Sequence, residues 1–397
     1  MPTALPAVEV GGLYVHIPFC FHKCHYCDFY SITQQSDERM ERFVDLVLAE
    51  GRMWGGVGGP SVKPRTIFFG GGTPTLLPMG AMRRLLEGLR KIFNLSGVRE
   101  WTVEANPATV DESYCTMLRE FGVDRISFGA QSFDRRELAV LERHHEPEDV
   151  ARSVEAARAA VIKRINVDLI FAIPGQSMEM WEKSLEAALA LGTKHLSAYN
   201  LTYEPNTPLT VKKKMGQITA VEEGLELAML EKTRSRMAAA GLPAYEISNF
   251  AAPGQECQHN LRYWNGEDYI GLGPSAASHV QGHRWKNAGN LGKWEEAIAR
   301  KELPAVDMEI LSPQQRMGEL AMLQLRLSSG LNFADFEKRM SEDARSVFAD
   351  PIERYTAAGL LESDSTRVRL TEHGVRLADA VAAEFLATEQ CSVPAAK

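Results

Sequence analysis

The chain has 397 residues, of which 45% are hydrophobic and 24% are charged, and its formal net charge is -8. This length exceeds one ordinary core, so we expect a large domain with appended units. The composition excludes a disordered or collagen-like chain, and the acidic balance disfavours nucleic-acid binding, which needs a basic surface. No apolar run reaches the roughly 18 residues that span a bilayer, and residues 1–12 lack the order of a signal peptide, so we expect a cytoplasmic protein.

The first chemical motif is a loop that follows a short apolar strand. It carries three cysteines with the spacing C-x3-C-x2-C, namely Cys20, Cys24 and Cys27. Three thiolates on one loop suit a metal or an iron–sulfur cluster, because a reducing compartment keeps cysteines available as ligands. From the residues alone, two sites stay open: a zinc site completed by His22 or His25, and a cluster with one open iron position.

The following residues alternate between strand-like and helix-like patterns. Strands are predicted at 65–70, 101–104, 125–131, 165–173 and 195–202, with amphipathic helices between them. About six βα units in a row predict a parallel sheet, either open and doubly wound or closed into a full or partial barrel. The strand ends carry polar or glycine-rich groups, which a barrel gathers round one mouth, so we favour the barrel. These groups are the cysteine loop, residues 71–73, Glu104, Gln131, Asp168 and Asn200.

Beyond residue 202 the pattern changes twice. A long helix is predicted at 221–240, and the glycine- and aromatic-rich residues 259–279 are expected to form a loop that packs on the barrel or over something flat. From residue 303, helices and a hairpin at 359–371 resemble a winged helix. Its candidate recognition helix carries Asp350 and Glu353, which favours a packing role over DNA binding. We predict three units: a barrel at 1–215, an α+β extension at 216–302 and a winged-helix-like domain at 303–397.

Four motifs together resemble the radical S-adenosylmethionine (SAM) superfamily. They are the cysteine loop with Tyr26 before its last cysteine, Gly-Gly-Gly-Thr-Pro at 70–74, Ser-Phe-Gly-Ala-Gln at 127–131, and Val-Asp-Leu-Ile-Phe-Ala-Ile-Pro-Gly at 167–175. They look like the branch that contains oxygen-independent coproporphyrinogen III oxidase. The resemblance runs from about residue 13 to about residue 386 and implies an α/β fold with a partial (β/α)6 barrel.

The resemblance also implies a set of cofactor-binding residues. A 4Fe-4S cluster would be ligated by Cys20, Cys24 and Cys27. One or two SAM molecules would be contacted by Tyr14, Tyr26, Gly71, Gly72, Thr73, Glu104, Gln131, Arg143, Asp168 and Thr202. The residue types fit, since carboxylates suit the sulfonium, amino and hydroxyl groups and an arginine suits a carboxylate. Histidines close to these motifs are expected to be loop or surface residues: His22, His25, His144 and His145.

The position two residues after the last cysteine separates members of this branch. The coproporphyrinogen oxidases carry a further cysteine there and a longer N-terminal extension, whereas this chain has Phe29. Cys-Asp-Phe at 27–29 and His-Asn-Leu-Arg-Tyr-Trp at 259–264 resemble instead the HemW-type haem chaperones. In that reading haem is contacted by His259, Tyr263 and Trp264, because imidazole is an axial donor and aromatic rings stack on a porphyrin. In the alternative reading, these residues only tie the extension to the barrel.

The resemblance therefore implies a haem chaperone that holds a 4Fe-4S cluster, SAM and haem as cargo, and passes haem to apoproteins. A membrane-associated acceptor is compatible with this role, and nucleic acid is not expected as a partner. The alternative is a radical SAM oxidoreductase, such as oxygen-independent coproporphyrinogen III oxidase or another porphyrin-modifying enzyme. Cleavage of SAM would require an electron donor such as a flavodoxin or a ferredoxin.

Overall fold

The computed structural model describes residues 5–54 and 59–386. In the first part of the chain, strands alternate with helices. The strands are β1 (Glu9–Ile17), β2 (Ser61–Gly71), β3 (Glu100–Ala105), β4 (Arg125–Gln131), β5 (Arg164–Phe171) and β6 (His195–Asn200). The helices are α1 (Asp37–Met53), α2 (Met79–Ile92), α3 (Glu112–Glu120), α4 (Arg135–Val140), α5 (Pro147–Ala159) and α6 (Met178–Ala190). Helix α3 is capped by Asp111, whose side chain accepts a hydrogen bond from the backbone N–H of Tyr114 at 2.7 Å.

The strands β1 to β6 are parallel and lie side by side in chain order. A doubly wound sheet would reverse its strand order at a switch point, and this one does not. The order is the one expected of a barrel, and the α/β prediction with a parallel core is confirmed. The sheet is partial rather than closed, because β1 and β6 each pair on their outer side with a further strand.

The parallel strands are polar on one face and apolar on the other. In β5, Asn166 and Asp168 line a central cavity, whereas the alternating residues Val167 and Leu169 are fully buried in the main hydrophobic core. Trp181 of α6 packs in the same core. Because side chains alternate along a strand, the helices cover the outer face and leave the inner face for polar residues.

The chain then forms α7 (Pro208–Lys214), α8 (Glu223–Ala239), β7 (Asn249–Ala251), α9 (Gln258–Trp264), β8 (Tyr269–Leu272), β9 (Ala277–Val280), β10 (His283–Asn287), α10 (Leu291–Ala299) and β11 (Ala305–Ile310). These strands extend the sheet at both edges, in the order β11-β10-β9-β8-β1-β2-β3-β4-β5-β6-β7. The prediction of a loop at 259–279 is wrong. The segment forms a helix and two strands, because its glycines allow close approach of neighbouring backbone: a Cβ on Gly271 would lie 2.3 Å from the carbonyl oxygen of Ala277.

The last part has its own hydrophobic core, which includes Leu325, Phe336 and Phe348. It contains α11 (Pro313–Leu325), β12 (Leu331–Asn332), α12 (Phe333–Met340), α13 (Ala344–Val347), α14 (Ala349–Ala357), β13 (Leu361–Ser363), β14 (Arg367–Leu370), α15 (Glu372–Val375) and α16 (Ala378–Ala383). The predicted hairpin is present as β13 and β14, and β12 adds a third strand. The boundaries of the three predicted units stay a prediction. Among the described residues, no helix is both long and apolar enough to span a membrane.

Candidate functional site

A cavity of about 1520 Å³ opens at the carboxyl ends of the parallel strands. Every residue predicted for the cluster and for SAM lines it: Tyr14, Cys20, Cys24, Tyr26, Cys27, Gly71, Gly72, Thr73, Glu104, Gln131, Arg143, Asp168 and Thr202. Of the residues predicted for haem, Tyr263 lines the cavity, whereas His259 and Trp264 do not. The fold thus brings together side chains that are up to about 190 residues apart in the sequence.

The cysteine loop is held by its backbone. The N–H of Cys20 donates to the carbonyl of Ile32 at 3.0 Å, and the N–H of Thr73 donates to the carbonyl of Phe19 at 2.7 Å. The Thr73 hydroxyl also donates to Sγ of Cys20 at 3.8 Å. These bonds fix the loop against the turn after β2, so its thiols face the cavity in a set position.

The glycines after β2 serve this close packing. Gly71 has φ +105°, and a Cβ there would lie 2.4 Å from the ring of His16. A Cβ on Gly72 would lie 2.7 Å from the backbone of Pro18 and Phe19, which lead into the cysteine loop. Glycine is therefore required at both positions, and the backbone of this turn stays open towards the cavity.

Two carboxyl groups lie in the cavity. The N–H of Gly71 donates to Oε2 of Glu104 at 3.2 Å. Desolvation, and after it the charge of Asp168, raise the pKa of Glu104 to about 8, against the hydrogen bond from Gly71, which lowers it. Desolvation also raises the pKa of Asp168, against hydrogen bonds from Ser197, Ser127 and Asn166 that lower it. A cationic ligand would stabilise the ionised forms of both groups, which suits an amino or sulfonium group.

Arg143 connects the cavity wall to the cysteine loop. Its Nη1 donates to Sγ of Cys24 at 3.7 Å, and its Nη2 donates to Oδ1 of Asn106 at 2.8 Å and to the carbonyl of Gly129. Its Nε is buried without a hydrogen-bond partner among the described residues. A buried donor without an acceptor is costly, so a carboxylate would be a suitable partner for this arginine.

The donor set fits an iron–sulfur cluster. The thiols of Cys20, Cys24 and Cys27 are free and partly exposed to the cavity. Burial raises the pKa of Cys20 and raises that of Cys27 to about 11, so bare thiolates are disfavoured. Metal coordination reverses this preference, because a bound cation deprotonates its thiol ligands. The hydrogen bonds from Thr73 and Arg143 to sulfur are of the kind that tunes a cluster.

His259 lies at the opposite end of the barrel. It is fully buried; its Nδ1 is 2.8 Å from Oγ1 of Thr66 and its Nε2 is 2.9 Å from the hydroxyl of Tyr263. The backbone N–H of His259 donates at 3.0 Å to the carboxylate of Glu100, the first residue of β3. Glu100 also forms a buried ion pair with Arg125, the first residue of β4, at 3.1 Å. Helix α9 therefore covers the amino-terminal end of the barrel. This agrees with the alternative reading, in which the segment ties the extension to the barrel.

Trp264 lies at the end of the same helix, half-buried, with the guanidinium carbon of Arg326 at 5.0 Å from its ring centroid. This contact joins α9 to the residues that follow α11. Burial lowers the pKa of His259 to about 3, so its imidazole is neutral. A haem contact by His259 requires release of one of its two ring hydrogen bonds.

Sequence reasoning missed several residues that support the site. Asn106 holds Arg143, and the side chains of Ser127 and Asn166 donate to Asp168 at 2.9 and 2.8 Å. The period-two placement of polar residues in β4 and β5 is the signal that could have identified the last two. The four histidines near these motifs are loop residues as expected: His22 and His144 are exposed, His25 is half-buried, and His145 is buried but lines the cavity.

Two parts of the chain match known protein families. Residues 14–188 match the radical SAM superfamily, and residues 311–377 match the HemN C-terminal domain. The solved structure of coproporphyrinogen III oxidase (HemN) from Escherichia coli, a radical SAM enzyme, superposes with a TM-score of 0.83 over 96% of this chain and 91% of that chain. The sequences are 22% identical, so this likeness shows the fold alone.

Several relatives match nearly the whole chain. Heme chaperone HemW of Bacillus subtilis (strain 168) is 34% identical over 374 residues, which cover 94% of this chain and 98% of that protein. Heme chaperone HemW of Mycobacterium tuberculosis (strain H37Rv) is 35% identical over 393 residues, which cover 97% of this chain and 98% of that protein. The chain therefore belongs to the heme chaperone HemW family, within the radical SAM superfamily.

Proposed function

We propose that this chain is a haem chaperone that carries a 4Fe-4S cluster and SAM, binds haem and transfers it to apoproteins. The observation that carries the proposal is the full-length similarity to the HemW proteins, at 34% identity over 98% of the Bacillus subtilis protein. The cavity supports the proposal, because three thiols, two carboxyl groups and an arginine lie together at the carboxyl ends of the parallel strands.

Cys20, Cys24 and Cys27 would ligate the cluster. The cavity offers hydrogen-bond donors on both sides of the loop, from Thr73 to Cys20 and from Arg143 to Cys24. When bound and reduced, such a cluster would be able to supply an electron to SAM. Replacement of any one of these cysteines by serine should abolish the cluster absorbance of anaerobically reconstituted protein, whereas Cys115→Ala should keep it, because Cys115 is buried in the main core.

SAM would occupy the cavity beside the cluster. Glu104 and Asp168 suit its cationic groups, and Arg143 suits its carboxylate by pairing through the unpartnered Nε. The remaining wall residues would exclude water and orient the ligand: Tyr14, Tyr26, Gly71, Gly72, Thr73, Gln131 and Thr202. Isothermal titration with SAM under anaerobic conditions tests this assignment, and heat that does not saturate would refute it.

Haem is proposed as cargo. The contacts predicted for His259, Tyr263 and Trp264 stay a prediction, and for His259 they require the ring to leave Thr66 or Tyr263. Titration of the reconstituted protein with haemin, followed by absorbance, tests haem binding itself. The absence of saturable binding by the wild-type protein would refute the chaperone proposal.

A coproporphyrinogen-oxidising activity is the competing proposal. Position 29, where the oxidases carry a cysteine, holds a phenylalanine that is 66% exposed and lines the cavity. Anaerobic conversion of coproporphyrinogen III to protoporphyrinogen IX by the reconstituted protein, with SAM and a flavodoxin or ferredoxin, would favour the oxidase. We expect no turnover. A cytoplasmic location and transfer to apoproteins, including membrane-associated ones, belong to the chaperone proposal.

A further inference from the structure

Two exposed histidines and a glutamate meet where the cavity opens to solvent. The rings of His22 and His144 lie edge to face, with centroids 4.6 Å apart. One ring nitrogen of each and a carboxylate oxygen of Glu142 all lie within 4.8 Å of one another. We call these three residues the mouth cluster. Two imidazoles and a carboxylate at this spacing are suitable ligands for a transition-metal ion such as iron.

Two separate segments build the mouth cluster. His22 lies in the cysteine loop, between Cys20 and Cys24, and Glu142 and His144 flank Arg143 after α4. The segments are joined by their backbones, since the N–H of His25 donates to the carbonyl of Leu141 at 3.3 Å. The cluster is therefore positioned by the same contacts that position the cysteine loop.

The carboxylate of Glu142 lies close to the imidazoles of His22 and His25. Its Oε2 lies 3.4 Å from Nε2 of His22, and its Oε1 lies 3.7 Å from Nε2 of His25. A carboxylate on one nitrogen of an imidazole fixes the ring and makes the other nitrogen a better metal ligand. The second nitrogen of His22, Nδ1, is left for a ligand at the mouth.

The same loop exposes two large aromatic side chains. Phe21 is 71% exposed and Phe29 is 66% exposed, and both line the cavity. Exposed aromatic residues beside a polar cluster mark a binding site for a ligand with apolar faces. Cations are close by: Lys23 is exposed, and Nζ of Lys212 lies 3.1 Å from Nδ1 of His25. A planar macrocycle with a central metal and peripheral carboxylates fits this combination.

We propose that the iron of haem is ligated at the mouth of the cavity by an imidazole of His22 or His144, with Phe21 and Phe29 against the macrocycle. The inference rests on the proposed haem function and assigns its iron ligand. The step is a coordination: a ring nitrogen donates its lone pair to iron and displaces water, and no electron is transferred. These imidazoles are accessible as they stand, whereas His259 is buried with both ring nitrogens hydrogen-bonded.

The test is an anaerobic titration of cluster-loaded protein with ferric haem, followed by difference absorbance and electron paramagnetic resonance of the haem iron. The wild-type protein should show an imidazole-ligated haem. The double variant His22→Ala with His144→Ala should lose that signature and bind at least about tenfold more weakly. His373→Ala is the matched control, because this histidine is exposed on α15, outside the site, and its variant should behave as wild type.

Glu142→Gln is a second variant, outside the cysteine loop. It keeps the size of the side chain but weakens the carboxylate–imidazole pair, and it should lower haem affinity by about 10-fold. An unchanged spectrum and affinity in the double variant would overturn the inference, as would loss of the imidazole signature in a His259→Ala variant whose circular dichroism shows that it is still folded. Occupation of the mouth cluster by Zn²⁺ without any effect on haem binding would also overturn it. If instead the wild-type protein binds no haem, the proposed function itself fails.

Discussion

Nδ1 of His259 lies 2.8 Å from Oγ1 of Thr66, a buried contact between residues 193 positions apart. It joins helix α9 to the second strand of the barrel. Because Tyr263 occupies the other ring nitrogen, the imidazole is fully hydrogen-bonded inside the protein. The histidine of the His-Asn-Leu-Arg-Tyr-Trp segment therefore has a structural role in closing the barrel, whatever else it binds.

Replacement of His259 by alanine should destabilise the protein. It leaves the hydroxyls of Thr66 and Tyr263 without their partner and opens a cavity, which together should lower the free energy of unfolding by about 2–4 kcal/mol. Urea denaturation followed by circular dichroism measures this loss. His373→Ala is the control, since an exposed substitution should change stability by less than about 0.5 kcal/mol. Equal urea midpoints for the two variants would contradict the structural role of His259.

The contribution of His259 to the free energy of unfolding should depend on pH. The pKa of His259 is lowered to about 3 in the folded protein, against an ordinary value near 6.5, so the unfolded chain binds more protons between these values. The contribution of His259 is then fully present above pH 6.5 and is lost as the pH falls towards 3, by at most about 1.4 kcal/mol per pH unit. Unfolding free energies of wild type and His259→Gln between pH 7 and 5 should diverge in slope, the wild type being steeper. Parallel slopes would show that another group titrates.

Sequence patterns predicted the parallel core and the cavity well, for a physical reason. Polar residues such as Glu104 and Asp168 lie in the C-terminal halves of their strands, where the local pattern predicts them, and parallel strands bring these ends together at one cavity. The extension was predicted less well. The secondary structure of residues 259–279 depends on tertiary contacts, such as the hydrogen bond between His259 and Thr66. A local sequence pattern does not predict such contacts. The mouth cluster was also missed, because His22 and His144 are 122 positions apart and meet only through the fold.

Gly71→Ala should disrupt the cysteine loop. The position has φ +105°, which disfavours any side chain, and the new Cβ would lie 2.4 Å from the ring of His16. The turn after β2 would shift, and the bond from Thr73 to the carbonyl of Phe19 would be strained. We expect reduced iron and sulfide content after reconstitution. Gly80→Ala is the control, because a Cβ there meets nothing within 4 Å, and its iron content should equal that of the wild type. Full cluster loading of Gly71→Ala would show that the turn can adapt.

Arg143→Lys should weaken SAM binding without removing positive charge. The guanidinium donates to Cys24, Asn106 and the carbonyl of Gly129 at once and leaves Nε without a partner, and a lysine ammonium cannot make this planar set of bonds. Loss of a charge-assisted hydrogen bond should raise the dissociation constant for SAM by about tenfold or more, measured by isothermal titration under anaerobic conditions. Arg135→Lys is the matched control, because Arg135 pairs with Glu146 and Glu148 on the surface and lies outside the cavity. If both variants bind SAM as tightly as the wild type, the unpartnered Nε does not serve the SAM carboxylate, and the assignment of Arg143 fails even if the cluster forms normally.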